Sequence, residues 1–169
     1  VIVSLQPLIA DSSSDVISLV PLVETNLMLV QLPDSLQELK VKKQYELDGK
    51  TITCTKASPF LPLLYTLADD LAIDPVLVES DFTSIDEVVS EVASGKIEFA
   101  VCPRHLASRI KTKYPQVDMS LPLTFHLNLG WTVRRSSVKL QESLNEFLTN
   151  FTGTAEYWSL YSSYFSATN

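Results

Sequence analysis

The stretch LDGKTITCTKASPFLPLLYTLADDLAIDPVLVESDFTSIDEVVSEVASGKIEFAVCPRHLASRIKTK, residues 47–113, decides the fold. It opens on a turn, Leu47-Asp48-Gly49-Lys50, and passes into the short β-branched run Thr51-Ile52-Thr53-Cys54-Thr55, which reads as a strand. Ser58-Pro59 predicts a helix N-cap with proline at the first helical position. Leu61, Leu64, Ala68 and Leu71 follow at helical spacing. Residues 75–79 predict a second strand. Ser84-Ile85-Asp86-Glu87 has the capping-box pattern, with Ile85, Val88, Val89 and Val92 as the buried stripe of that helix. Gly95 ends it, where the backbone turns left-handed. Residues 97–102 predict a third strand, apolar enough for the centre of a parallel sheet, and Pro103 opens a helix running to about Lys111.

Strand and helix alternate three times, which means βαβ units. Such units pack as a parallel sheet with right-handed crossovers and helices on both faces. The flanks have another character. Residues 1–5 and 27–32 read as strands with an irregular segment between, and residues 125–133 read as one long strand. Two helices close the chain, separated by Gly153: one with Leu140, Leu144 and Phe147 in register, one with Tyr157, Tyr161 and Tyr164 or Phe165 on one face. The expected architecture is α/β in two lobes. Residues 1–30 and 128–169 make lobe one, residues 31–127 make lobe two with a βαβαβα order, and the two crossing strands form a hinge.

Bulk properties narrow the function. The 169 residues are 46% hydrophobic and 20% charged, as expected of a globular chain rather than a disordered one. A net charge of −7 repels phosphate backbones and argues against broad nucleic-acid binding. No apolar run reaches the roughly 18–20 residues that span a bilayer; the apolar residues 16–30 are interrupted by Pro21, Glu24 and Asn26. Two cysteines are too few to report a compartment.

Several segments together resemble a known family. Leu47-Asp48-Gly49-Lys50, Lys56-Ala57-Ser58 and Gly95-Lys96-Ile97-Glu98-Phe99-Ala100-Val101 look like the second lobe of the polar-amino-acid type (family 3) of periplasmic solute-binding protein. Ser18-Leu19-Val20-Pro21-Leu22-Val23 with residues 27–31 resembles the family's first hinge region. Gly130-Trp131-Thr132-Val133-Arg134-Arg135-Ser136-Ser137 resembles its return strand, and residues 144–165 its closing helices. Within the family, the return strand and tail are most similar to the solute-binding domains that precede the catalytic domain of lytic murein transglycosylases. The resemblance covers nearly the whole chain and rests on the order and spacing of its pieces. It implies a type II periplasmic-binding-protein fold and an extracytoplasmic location, with membrane attachment through a segment outside these residues. The first strand–helix–strand–helix portion of lobe one has no counterpart, which implies an incomplete lobe and, through it, self-association or pairing with a missing segment.

In an open α/β sheet, ligands bind beyond the carboxyl ends of the strands. In lobe two those ends carry Lys56, Ser58 and Phe60 after the first strand, and Cys102, Arg104 and His105 after the third. Amides at a helix start behind Ser58 would favour an anion, and Lys56 would add positive charge. The resemblance adds Ser12, at the position where amino-acid binders of the family carry an arginine for the ligand carboxylate. It also places Pro103 where they carry an aspartate for the ammonium. With both charged anchors replaced, a zwitterionic amino acid would leave its charges unpaired. A larger small-molecule or peptide ligand, such as a muropeptide, or an empty site fits better.

Cys54 and Cys102 read as two buried thiols, with a disulfide between neighbouring strands as the alternative. Cys102 beside His105 has no third orienting group for nucleophilic catalysis. Cys54, Cys102, His105 and His126 have no metal-ligand spacing, and no cofactor is expected. The carboxylate pairs Asp69-Asp70 and Asp86-Glu87 fall on helical faces. The chain therefore reads as a ligand-binding module, not an enzyme. The alternatives are part of a lytic transglycosylase whose catalytic domain lies elsewhere, or an interaction module with no ligand.

Overall fold

In a computed structural model the protein is described over residues 2–8 and 13–165. The chain divides into two compact units, one of Val1–Thr25 with His126–Thr168, the other of Asn26–Phe125.

The Asn26–Phe125 unit contains β4 (Leu27–Gln31), β5 (Thr51–Cys54), α1 (Leu61–Leu71), β6 (Val76–Glu79), α2 (Ile85–Ala93), β7 (Phe99–Pro103) and α3 (Ala107–Lys113). The sheet order is β4-β7-β5-β6, so β5 lies between its two parallel partners. From β5 the chain crosses to one side, then back past β5 to the other; right-handed crossovers therefore set α1 and α2 on opposite faces. Val88, Val89 and Val92 of α2 pack with Ala100, Cys102, Met28, Val30 and Ile110. Ser84 and Glu87 form the expected capping box, and Gly95 follows the helix at φ +78°.

The sheet is mixed rather than wholly parallel. β4 runs antiparallel to β7 along its full length, Leu27 facing Pro103 and Gln31 facing Phe99. The compact units divide at Thr25–Asn26 and at Phe125–His126, which puts β4 with the parallel strands. The reason is burial: all five β4 residues are buried, and its other edge bonds residues 118–122, Leu29 N–H donating to the Leu121 carbonyl at 2.9 Å.

In the other unit β8 (Leu127–Arg134) is the central strand. It pairs antiparallel with β1 (Ile2–Pro7) on one side and with β2 (Val16–Ser18) and β3 (Val23–Thr25) on the other. β2 and β3 lie in the segment expected to be irregular; at three residues each they are too short to declare a period. Gly130 sits where a Cβ would meet the Leu8 side chain at 3.1 Å and the Val20 carbonyl at 3.3 Å. The closing helices are α4 (Val138–Thr152) and α5 (Ala155–Phe165). On α4 the buried residue is Leu148, packed with Leu19, Val133 and Leu144, and not the expected Leu140 and Phe147, which are exposed. The asparagine on that face explains the rotation, because Asn145 Oδ1 accepts the Val20 N–H at 2.9 Å. No described helix is long and apolar enough to cross a membrane.

One buried polar side chain pins the unit that carries the parallel strands. Gln31 is fully buried, and its amide imitates a strand: Nε2 donates to the Val41 carbonyl at 2.7 Å, and Oε1 accepts the Val41 N–H at 3.0 Å. Its backbone is spent on Asp118 in both directions. Gln31→Leu would leave the buried Val41 N–H and C=O unpaired, each worth about 1–3 kcal/mol. Urea unfolding of this variant is expected to show a loss of about 3 kcal/mol; a loss below about 0.5 kcal/mol would mean the clamp is not needed.

Candidate functional site

Two of the three parallel strands end level, Cys54 of β5 standing in register with Glu79 of β6, while β7, with Ala100 in register with Thr53, runs two residues further to Pro103. Two of the loops that follow are bonded to each other. Ser80 donates to the Cys54 carbonyl through its N–H at 3.0 Å and its hydroxyl at 2.8 Å. Lys56 N–H donates to the Phe82 carbonyl at 2.7 Å, and Ala57 N–H to Glu79 Oε1 at 2.7 Å. Ala57 holds a left-handed backbone, φ +50°, a conformation uncommon for a residue with a Cβ.

Ser58 is not the helix cap. Its Oγ accepts the Phe60 N–H at 3.3 Å and its carbonyl the Leu61 N–H, closing a turn ahead of α1. The helix starts at Leu61 behind Phe60, with Pro62 as the proline of its first turn. The expected anion site at this helix start therefore loses its basis, because the nearby amides of Lys56, Ala57 and Phe60 already have acceptors. Lys56 is exposed at the turn, whereas Ser58 and Phe60 are buried.

At the end of β7, Pro103 leads into a 3-10 turn, Arg104–Leu106, before α3, so the helix expected at Pro103 begins at Ala107. Arg104 is exposed, its N–H bonded to the Asn26 carbonyl at 2.8 Å. His105 is half-buried, and burial, reinforced by the Arg109 charge, lowers its pKa to about 4. It is a neutral imidazole at pH 7. Cys102, next to last in β7, has its side chain buried in the core with α2 and α3, and burial pushes its thiol up to about 12. Burial raises Cys54 to about 11. Neither is a thiolate at neutral pH, which removes the nucleophile.

Both cysteines are free. Register gives the reason. Ile52 aligns with Phe99, so Cys54, two residues on, shares a sheet face with Val101, while Cys102 lies on the opposite face. Ser12 lies outside the described residues. Among the described residues, no group of three or more His, Cys, Asp or Glu side chains could hold a metal ion. Asp86 pairs with Arg109 and Lys113, and Glu87 serves the cap.

The strand-end loops thus bring together Lys56, Ser58 and Glu79, with Arg104 and His105 at the neighbouring strand. The sequence reading missed Glu79. Applying the strand-end rule to the second strand as well as to the first and third would have found it. The other unit holds an apolar groove of about 230 Å³ among α4, α5 and the sheet, lined by Trp131, Phe147, Phe151, Tyr157 and Tyr161 among others. On α5 the half-buried residues are Tyr157, Tyr161 and Phe165, so the expected aromatic face is the one that lines this groove, though none of the three is fully buried. The Tyr157 hydroxyl donates to the Leu22 carbonyl and ties α5 down.

No family model matches the sequence. Membrane-bound lytic murein transglycosylase F of Desulfosudis oleivorans is 25% identical over 121 residues, which cover 72% of this chain and 26% of that protein. The chain thus matches about a quarter of that relative's length. Among solved structures, an ancestral arginine-binding protein bound to arginine superposes with a TM-score of 0.73 at 19% identity, covering 95% of this chain and 69% of that one. A structure described for glutathione import through GshT in Streptococcus mutans gives 0.78 at 14% identity, covering 96% and 68%. The ligand-binding core of GluR0 with L-glutamate gives 0.74 at 10% identity, covering 95% and 69%. At these identities the likeness establishes a shared fold, which is an α/β fold with one mixed and one antiparallel sheet and, among the described residues, no closed barrel.

His105 provides a pH test. Its pKa is about 4 in the folded protein against an ordinary 6.5, so below pH 6.5 the unfolded chain binds a proton that the folded one refuses. Its contribution to stability is complete at pH 7 and is lost as pH falls through that window. The urea midpoint of the protein is expected to drop between pH 6.5 and pH 4, and to drop less in His105→Gln; equal slopes would show that His105 is not held neutral.

Proposed function

We propose, from a fold shared with type II periplasmic solute-binding proteins, that this chain is an extracytoplasmic solute-binding module without catalytic activity of its own. The ligand would sit at the carboxyl ends of β5, β6 and β7. The observation that carries this reading is that three parallel strands end on the same side of the sheet in loops that bear Lys56, Ser58, Arg104 and His105. Open α/β sheets bind ligands at such ends. The finer reading is a peptide-like solute of the cell wall, sensed on behalf of a lytic transglycosylase domain and a membrane anchor elsewhere in a longer protein. The partial match to the Desulfosudis transglycosylase supports it. So does Pro103, which offers no charge to a free amino acid's ammonium.

Self-association belongs to the same reading. Phe147, Trp158 and Tyr164 are exposed beside the apolar groove, and a second copy laid over it would remove them from water. Sedimentation velocity is expected to show concentration-dependent association that Trp158→Glu abolishes; a monomer at every concentration rejects it.

Thermal unfolding with L-arginine, L-glutamine, L-glutamate, glutathione and a purified muropeptide tests the binding function. A true ligand at a hundredfold its Kd stabilises by about 2.7 kcal/mol, which raises Tm by several degrees. Lys56→Ala and Arg104→Ala should shrink that rise. If no compound moves Tm, the binding function is wrong; if the chain alone clears purified peptidoglycan, its assignment as a non-enzyme is wrong.

A further inference from the structure

At the strand-end site an acidic side chain is fixed in place by the backbone. Glu79 ends β6 in register with Cys54, and its Oε1 accepts the Ala57 N–H at 2.7 Å. The adjoining Lys56 amide is spent on Phe82, and Ser80 is tied to the Cys54 carbonyl, so the loop that carries Glu79 is anchored at three further bonds. Among the described residues no basic side chain pairs with Glu79, nor with Asp48, Asp69, Asp70, Asp74 or Asp81 of the same unit, so what distinguishes Glu79 is its place at the strand end and its bond to the Ala57 amide. The β5–β6 end thus offers a carboxylate with acceptor positions to spare, and its Lys56 and Ala57 amides are occupied. An anionic ligand group there would meet Glu79 without a free Lys56 or Ala57 amide to hold it. A cationic one would gain a charge-assisted hydrogen bond.

Resting on the solute-binding reading above, we propose that Glu79 selects the charge of the ligand, accepting an ammonium or guanidinium group at the end of β6. Its bond to Ala57 orients the carboxylate and holds the left-handed turn. Those two duties separate in Glu79→Gln, which keeps an oxygen for the Ala57 N–H and removes only the charge.

The test uses calorimetric titration of the full chain with two pairs of probes matched in shape, L-arginine against L-citrulline and lysyl-alanine against norleucyl-alanine. In at least one pair the cationic member should bind about tenfold or more tightly, the worth of one charged hydrogen bond. Glu79→Gln should erase that preference while leaving Tm without ligand unchanged. The proposal is overturned if neither cationic probe binds, if both members of each pair bind alike, or if the preference survives in Glu79→Gln. Failure of the site reading looks different. A solute whose binding responds to Lys56→Ala or Arg104→Ala but not to Glu79→Gln leaves the strand-end site standing and removes Glu79 from it. Binding that none of the three substitutions touches removes both.

Discussion

Strand β5 is hydrogen-bonded in parallel to neighbours on both sides, and its register decides what the Asn26–Phe125 unit can present. Pairing Thr51 with Val76 and Ile52 with Phe99 sets the carboxyl ends of β5 and β6 level and carries the end of β7 two residues past them. Slipping either pairing by one residue would exchange the two faces of a strand, exposing Ile52 or Phe99 and burying polar neighbours. The apolar faces therefore fix the register, and the register fixes the loops. Burial of β4 on both faces, with the Gln31 amide substituting for a missing strand partner at Val41, extends the same constraint to the sheet edge.

The cysteine and histidine side chains near the strand ends are held in their neutral forms. The candidate nucleophiles are thiols held protonated by burial, and His105 is held neutral. The Lys56 and Ala57 amides have internal acceptors, which gives the turn a defined shape before any ligand arrives. Preorganised hydrogen bonds of this kind lower the ordering cost of binding.

The unit built around β8 has the opposite character. Its sheet is antiparallel, Leu148 and Val133 form a small core, and α5 is attached by Tyr157 and by ring contacts such as Tyr161 against Phe165 at 5.0 Å. Aromatic side chains line an open groove instead of filling an interior.

By itself the sequence determined the order of strands and helices from Thr51 to Lys113, the capping box at Ser84, the left-handed glycine at Gly95 and the long strand before Arg134. Each is written in residues next to one another: a period of two or of 3.6, a cap three residues from its partner, a glycine where φ turns positive. The resemblance read from the order of its segments likewise named the fold. Tertiary structure alone decided that Ser58 closes a turn rather than a helix, that Leu148 and not Phe147 faces the sheet, that Cys54 and Cys102 lie on opposite faces, and that Glu79 reaches Ala57. These depend on which strand lies beside which and in what register. That pairing is set by burial summed over the whole unit, and no local pattern encodes it.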